Sequence, residues 1–178
     1  MFITFHEGKT TCRLLIKHEL IYGASMSFDL VIHDGLLITS SDTFKADLGI
    51  NAGKIAAIGH KLSGVKMIDA SDLYVLPGAI DPHVHIEMPV GKTISSDDWF
   101  TGTQAAAYGG TTTVIDFVEA APQQSLIDAL IDRKSLAENR AVIDYAFHMT
   151  LADANKGTLE EIPAVIKAGV TSFKTYTT

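Results

Sequence analysis

Cysteine is all but missing. Cys12 is the single one in 178 residues, so no disulfide can form within the chain, and such usage fits a reducing cytoplasm. With no cysteine partners, a metal site would have to be built from histidine, carboxylate or some less usual ligand. Positive charge is also in short supply. Fourteen Lys and Arg stand against 21 Asp and Glu, giving a net charge of −7 and a pI near 5.4. This argues against a nucleic-acid or anionic-membrane surface, because a polyanion gains nothing from an acidic partner. No apolar run approaches the ~18 residues of a membrane span. What the chain does have is 47% hydrophobic residues, a globular composition sufficient for one ordinary domain or somewhat more.

The opening stretch, "MFITFHEGKTTCRLLIKHELIYGAS", lacks the apolar core of a signal peptide. Its acids and lone arginine do not suit an organelle transit peptide. Period-two patterning starts at Met26, so Met26 is expected to be the natural start and residues 1–25 an appendage outside the fold.

Residues 26–76 read as β-structure. Phe28, Leu30 and Ile32 alternate, and Asp34-Gly35 suggests a turn into "LLIT". Phe44, Ala46, Leu48 and Ile50 alternate again, and "NAGK" (Asn51 to Lys54) turns the chain into "IAAIG". Short strands and tight turns without helical periodicity predict part of a small β-sandwich domain, too small to stand confidently by itself.

Beyond Pro77 and Gly78 strand and helix alternate. "AIDPHVH" is a strand. "SSDDWFTGTQAAAYGG" is a helix capped by Ser95 or Ser96, with Asp97 and Asp98 at its positive end and Gly109-Gly110 as its stop. "TTTVIDFV" is a β-branched strand. "QQSLIDALIDRKSLAENR" places Leu126/Leu130 and Ile127/Ile131 at helical spacing. "AVIDYAFHMTL" is a third strand, "GTLEEIPAVIKAGV" a helix with a Thr158–Glu161 capping box, and "TSFKTYTT" a fourth strand. Four strands and three helices in this rhythm, over residues 77–178, are parallel βαβ units. They could close a doubly wound sheet or begin a (β/α)8 barrel.

In such folds functional side chains collect at the carboxyl ends of strands. His83 and His85 stand one residue apart at the end of the first strand, so they share a face. Two neutral imidazoles facing one spot make a partial zinc site that needs further ligands from other strands. The bland alternative is a solvated strand end. Lys174 lies inside an apolar strand between Phe173 and Thr175, with Tyr176 near by. It is either a lysine snorkelling to water or an amine facing a low-dielectric barrel mouth, where desolvation favours the neutral form. A neutral amine can take up CO2 to become a carbamate, an anionic two-oxygen ligand.

"VLPGAIDPHVHIEMP", "GGTTTVIDFV", "IDYAFHM" and "GVTSFKTY", in this order and spacing, resemble the N-terminal part of the cyclic amidohydrolases, in particular the dihydropyrimidinase and hydantoinase branch. The resemblance runs from about Ser27 to Thr178. It implies the first half of a (β/α)8 metal-dependent hydrolase barrel, preceded by part of a β-sandwich that a later segment completes. It further implies two Zn2+ ions per active site. His83 and His85 would bind the more buried zinc, and a carboxylated Lys174 would bridge both, with hydroxide attack on a ring amide carbonyl. In that family an oxyanion-stabilising tyrosine, two more histidines and an aspartate follow later, beyond Thr178. The stretch by itself is accordingly expected to be inactive and to belong to a parent enzyme, usually a tetramer.

The substrate implied is a small cyclic ureide, a dihydropyrimidine or a 5-substituted hydantoin. Dihydroorotases carry an arginine where Glu87 stands, and a Glu87 charge would repel a substrate carboxylate. The "EMP" run also differs from that of allantoinases. Met88 and Tyr176 are candidate walls of the substrate pocket, with loop and strand packing as the plain alternative. A non-enzymatic dihydropyrimidinase-like scaffold, or a gene fragment without function, are the other readings; a scaffold has no need of His83, His85 and Lys174. His148 reads as a core or supporting histidine. Asp116 is expected to bond to backbone rather than to orient a ligand histidine, and the helix acids to form solvated faces.

Overall fold

The computed structural model describes residues 27–153 and 155–176; the expectations about Met26 and residues 1–25 lie outside them. Two compact units succeed one another in sequence, the boundary falling between Pro77 and Gly78.

The first unit is a five-stranded sheet. Its strands are β1 (Phe28–Ile38), β2 (Thr43–Asn51), β3 (Lys54–Gly59), β4 (Gly64–Asp69) and β5 (Tyr74–Val75). The order is β3-β2-β1-β4, with β5 also paired to β1. The β1–β2–β3 ladders are antiparallel, and β4 and β5 run parallel to β1. Between Asn51 and Lys54 the turn forms as the sequence predicts: Ala52 (φ 49) and Gly53 (φ 73) are both left-handed, the conformation that matches strand twist in a two-residue hairpin.

The turn expected at Asp34-Gly35 does not form. Ile32 faces Leu48 while Gly35 faces Ala46, so β1 carries one extra residue there and continues as a bulged strand. Asp34 takes the left-handed value (φ 60), and its N–H donates to Asp47 Oδ1 at 2.9 Å. Gly35 permits β5 to approach, since a Cβ there would lie 2.6 Å from Val75 Cγ2.

The second unit is the half-barrel. Strands β6 (Ala79–Val84), β9 (Thr111–Glu119), β10 (Asp144–Leu151) and β11 (Phe173–Thr175) form a parallel sheet in the order β11-β10-β9-β6. A short hairpin of β7 (Pro89–Val90) and β8 (Thr93–Ile94) precedes α1 (Trp99–Tyr108). Helices α2 (Leu126–Ala137) and α3 (Lys156–Lys167) make the other crossovers. The core lies between sheet and helices: Trp99 from α1, Val114 and Val118 from β9, Leu130 from α2, Phe147 and Met149 from β10 and Val165 from α3. Period-two alternation leaves the opposite face of the sheet, the barrel interior, to Phe117, His148 and Lys174.

Two caps differ from expectation. Asp98, not Ser95 or Ser96, caps α1: its carboxylate accepts from the Thr101 N–H at 2.8 Å, and Thr101 Oγ1 accepts from the Asp98 N–H at 3.1 Å. Ser95 is occupied at the hairpin base, where its hydroxyl accepts from the Met88 N–H at 2.8 Å. Asn155 caps α3 through the Thr158 N–H at 3.1 Å, so the Thr158–Glu161 box is not made. Glu161 instead accepts from the Leu126 N–H at 2.7 Å, placing its charge at the positive end of α2.

Candidate metal centre at the strand ends

Strand pairing gathers the candidate residues on one face. Val84 pairs with Asp116, His148 with Phe117, and Thr150 with Lys174. The side chains then meet around the Phe117 ring. The His83 ring centroid lies 4.6 Å from it, His85 4.9 Å and His148 5.0 Å. Lys174 Nζ stands 4.4 Å above the same ring and 5.3 Å from that of Tyr176. His83, His148 and Lys174 line a cleft of ≈ 450 Å³ floored by Phe117, with Pro82 and Ser172 at its sides.

The two strand-end imidazoles converge: His83 Nε2 and His85 Nε2 are 3.2 Å apart. Two nitrogens bound to one tetrahedral zinc stand about 3.3 Å apart. Donor type and spacing therefore fit a metal held between them, with the open side available to further ligands.

Behind the pair lies a buried clamp. Asp116, fully buried, accepts from Arg133 Nε at 2.8 Å and also pairs with Nη2. Its other oxygen accepts from the Ile86 N–H at 3.4 Å. Arg133 also donates to the carbonyls of Ile86 and, at 3.1 Å, Glu87, and its guanidinium lies 5.6 Å from the Trp99 ring. The backbone just after His85 is thus tied to β9 and α2. Burial pushes the Asp116 carboxyl up, and the Arg133 charge pulls it back. Asp116 bonds to backbone as expected and orients no histidine. The salt bridge to Arg133 has no sequence signal, since helical spacing alone gives no sign that Arg133 turns inward.

Glu87 has a basic partner. It takes a left-handed φ of 50, and its carboxylate lies 2.9 Å from Arg140, whose other nitrogen reaches Asp98 at 3.2 Å. One arginine thus serves two carboxylates, so the negative charge expected to repel a substrate carboxylate is reduced rather than cancelled. Met88 is held at the hairpin base and is not among the residues lining the cleft, nor is Tyr176. Tyr176 Oη donates to Glu119 at 3.3 Å beside the lysine.

Another group within reach of a single ion is His33, Asp34 and Asp69, in the first sheet. It is accounted for without one: His33 Nδ1 pairs with Asp34 at 2.8 Å, which raises the His33 pKa, and Asp69 accepts from the Ser71 N–H at 2.8 Å. Among the described residues no helix is long and apolar enough to cross a membrane.

Comparison with known proteins agrees with this architecture. The amidohydrolase family matches residues 74–177, more than half of the chain. The D-hydantoinase of Geobacillus stearothermophilus is 46% identical over 149 residues, which are 82% of this chain and 32% of that protein. The crystal structure of D-hydantoinase from Bacillus sp. AR9 superposes with a TM-score of 0.79 at 46% identity, over 81% of this chain and 32% of that one. The dihydropyrimidinase of Brevibacillus agri gives a TM-score of 0.78 at 45% identity, over 80% and 32%. The chain thus spans about a third of the length of the relatives it matches. A parallel (β/α) half-barrel with paired histidines at its first strand end, and this similarity across it, place the chain in the amidohydrolase family.

Proposed function

We propose that this chain is the N-terminal third of a zinc-dependent hydrolase that opens a cyclic amide, a dihydropyrimidine or a 5-substituted hydantoin. The observation that carries the reading is the convergence of the His83 and His85 Nε2 atoms, 3.2 Å apart, over the ring that also carries Lys174. The names of the relatives, D-hydantoinase and dihydropyrimidinase, support the substrate class.

His83 and His85 would hold one Zn2+, and a carboxylated Lys174 would bridge to a second. Carboxylation joins Nζ to the carbon of CO2 with loss of one N–H proton, turning an amine into an anionic oxygen ligand. The metal supplies Lewis-acid polarisation of the ring carbonyl and a water made nucleophilic near neutral pH. The chain's own residues set the stage. Each imidazole presents an Nε2 lone pair when its proton sits on Nδ1. Phe117 floors the cleft with an apolar ring that keeps water from beneath the ligands. The Arg133–Asp116 clamp fixes the backbone following His85. Tyr176 and Met88 lie outside the cleft formed here; in the whole protein Tyr176, whose ring is 5.3 Å from Lys174 Nζ, would extend the wall of the substrate pocket, and Met88 would border it from the hairpin. The sheet of the first unit is one part of a sandwich. The parent works as a tetramer in the cytoplasm, and the 178-residue chain alone does not turn over substrate, since it spans a third of its relatives.

The test is ring opening by the natural protein that carries this chain, on dihydrouracil and on a 5-substituted hydantoin, with and without a chelator. Chelator-sensitive opening that is abolished by Lys174→Ala is the expected result. Opening that survives both treatments, or a metal-bearing protein inert toward both rings, would contradict the reading.

A further inference from the structure

His148 makes the only hydrogen bond among the described residues that reaches from β6 to β10. Its Nε2 lies 2.9 Å from the carbonyl oxygen of Pro82, the residue before His83. Its Nδ1 meets the Ser172 hydroxyl, two residues before Lys174. In the sheet, β6 and β10 are not neighbours; β9 lies between them. The imidazole therefore passes over β9 on the inner face, across the Phe117 ring at 5.0 Å.

The Pro82 carbonyl fixes one ring proton. A carbonyl oxygen only accepts, so a proton sits on Nε2 and points to Pro82. Nδ1 shares a hydrogen bond with the Ser172 hydroxyl, which can serve as its donor or its acceptor. The ring is thus a strut with one end on the histidine-bearing strand and the other at the root of the lysine-bearing strand. It lies on the face away from the helices; its neighbours Phe147 and Met149 point into the core.

We propose that His148 is a positioning residue that sets the span between the His83/His85 pair and Lys174, and so tunes how tightly the two sets of ligands hold metal together. The proposal rests on the metal centre proposed above. Hydrogen bonds that orient metal ligands from behind are worth about ten- to a hundredfold in affinity when removed. Loss of either end of the strut lets β6 and β11 relax apart without opening the helix-side core.

The experiment uses the natural protein that carries this chain, stripped of metal and titrated with Zn2+ against a chromogenic chelator. Co2+ absorption serves as a second readout of ligand geometry. The variants are His148→Phe, Ser172→Ala, the pair together, and His83→Ala/His85→Ala. We expect His148→Phe to weaken Zn2+ binding about tenfold or more and to alter the Co2+ spectrum, with the metal-free unfolding temperature little changed. Ser172→Ala should weaken binding less, and add nothing once His148 is replaced. Should His148→Phe fail to fold, a weakened affinity and altered spectrum in Ser172→Ala still support the strut, and wild-type values there overturn it. Wild-type affinity in His148→Phe, or a Ser172→Ala effect of equal size in both backgrounds, also overturns it. If His83→Ala/His85→Ala binds Zn2+ as the parent does, the metal centre itself fails, an outcome distinct from failure of the strut alone.

Discussion

Arg133 shows how much of this site depends on a residue that never faces it. Its guanidinium neutralises Asp116 and holds the carbonyls of Ile86 and Glu87, fixing the chain just past His85. Replacing Arg133 by methionine leaves a buried carboxylate without its partner, which costs about 3–5 kcal/mol. Replacing Asp116 by leucine as well removes the orphaned charge, and chemical denaturation should show much of the loss recovered. Equal losses in the single and double variants would contradict the clamp. The histidine pair was legible from one-residue spacing on a strand. The clamp was not, because Arg133 and Asp116 are 17 residues apart and meet only through a crossover whose helix rotation no local pattern sets. Phe117 was likewise hidden: strand alternation gives its parity, but only the register with β10 puts it under His148.

At the scale of elements, the βαβ alternation could be read directly, since α1 and α2 carry buried residues at helical spacing and β9 and β10 are β-branched or aromatic runs. The errors fell where side-chain hydrogen bonds choose among neighbours. Ser95 and Thr158 have the right chemistry for caps, yet Asp98 and Asn155 hold those positions. In the first sheet Asp47 plays a similar local role. Burial would raise its carboxyl, but the amides of Asp34, Leu62 and Lys61 outweigh burial and hold it below the ordinary value. The folded value being the lower one, its stabilising contribution is complete above the unfolded pKa and vanishes as pH falls through the folded pKa. Asp47→Asn should therefore be less stable than the parent at pH 7, the gap narrowing below about pH 4. A gap independent of pH would contradict this. Where β6 begins, a Cβ on Gly78 would lie 2.2 Å from the Thr112 side chain. Gly78→Ala should force β6 from β9 and cost roughly 1–3 kcal/mol; unchanged thermal unfolding would show that the contact yields freely.

For the molecule as a whole, β6 and β11 are the outer strands of the half-barrel sheet, while in a closed barrel every strand is paired on both sides. Their outward amides should exchange rapidly with deuterium in the 178-residue chain and slowly in a chain that carries the rest of a relative's barrel. Equal rates in both would mean that the added sequence does not complete this sheet. Whether His83, His85 and Lys174 form one metal centre is decided by diffraction recorded at the zinc absorption edge. Crystals of the natural protein should give an anomalous peak between the His83 and His85 Nε2 atoms, and a second toward Lys174 with density for a carboxylated amine. A peak at His33, Asp34 and Asp69 alone, or none beside the histidine pair in zinc-loaded crystals, would contradict that centre.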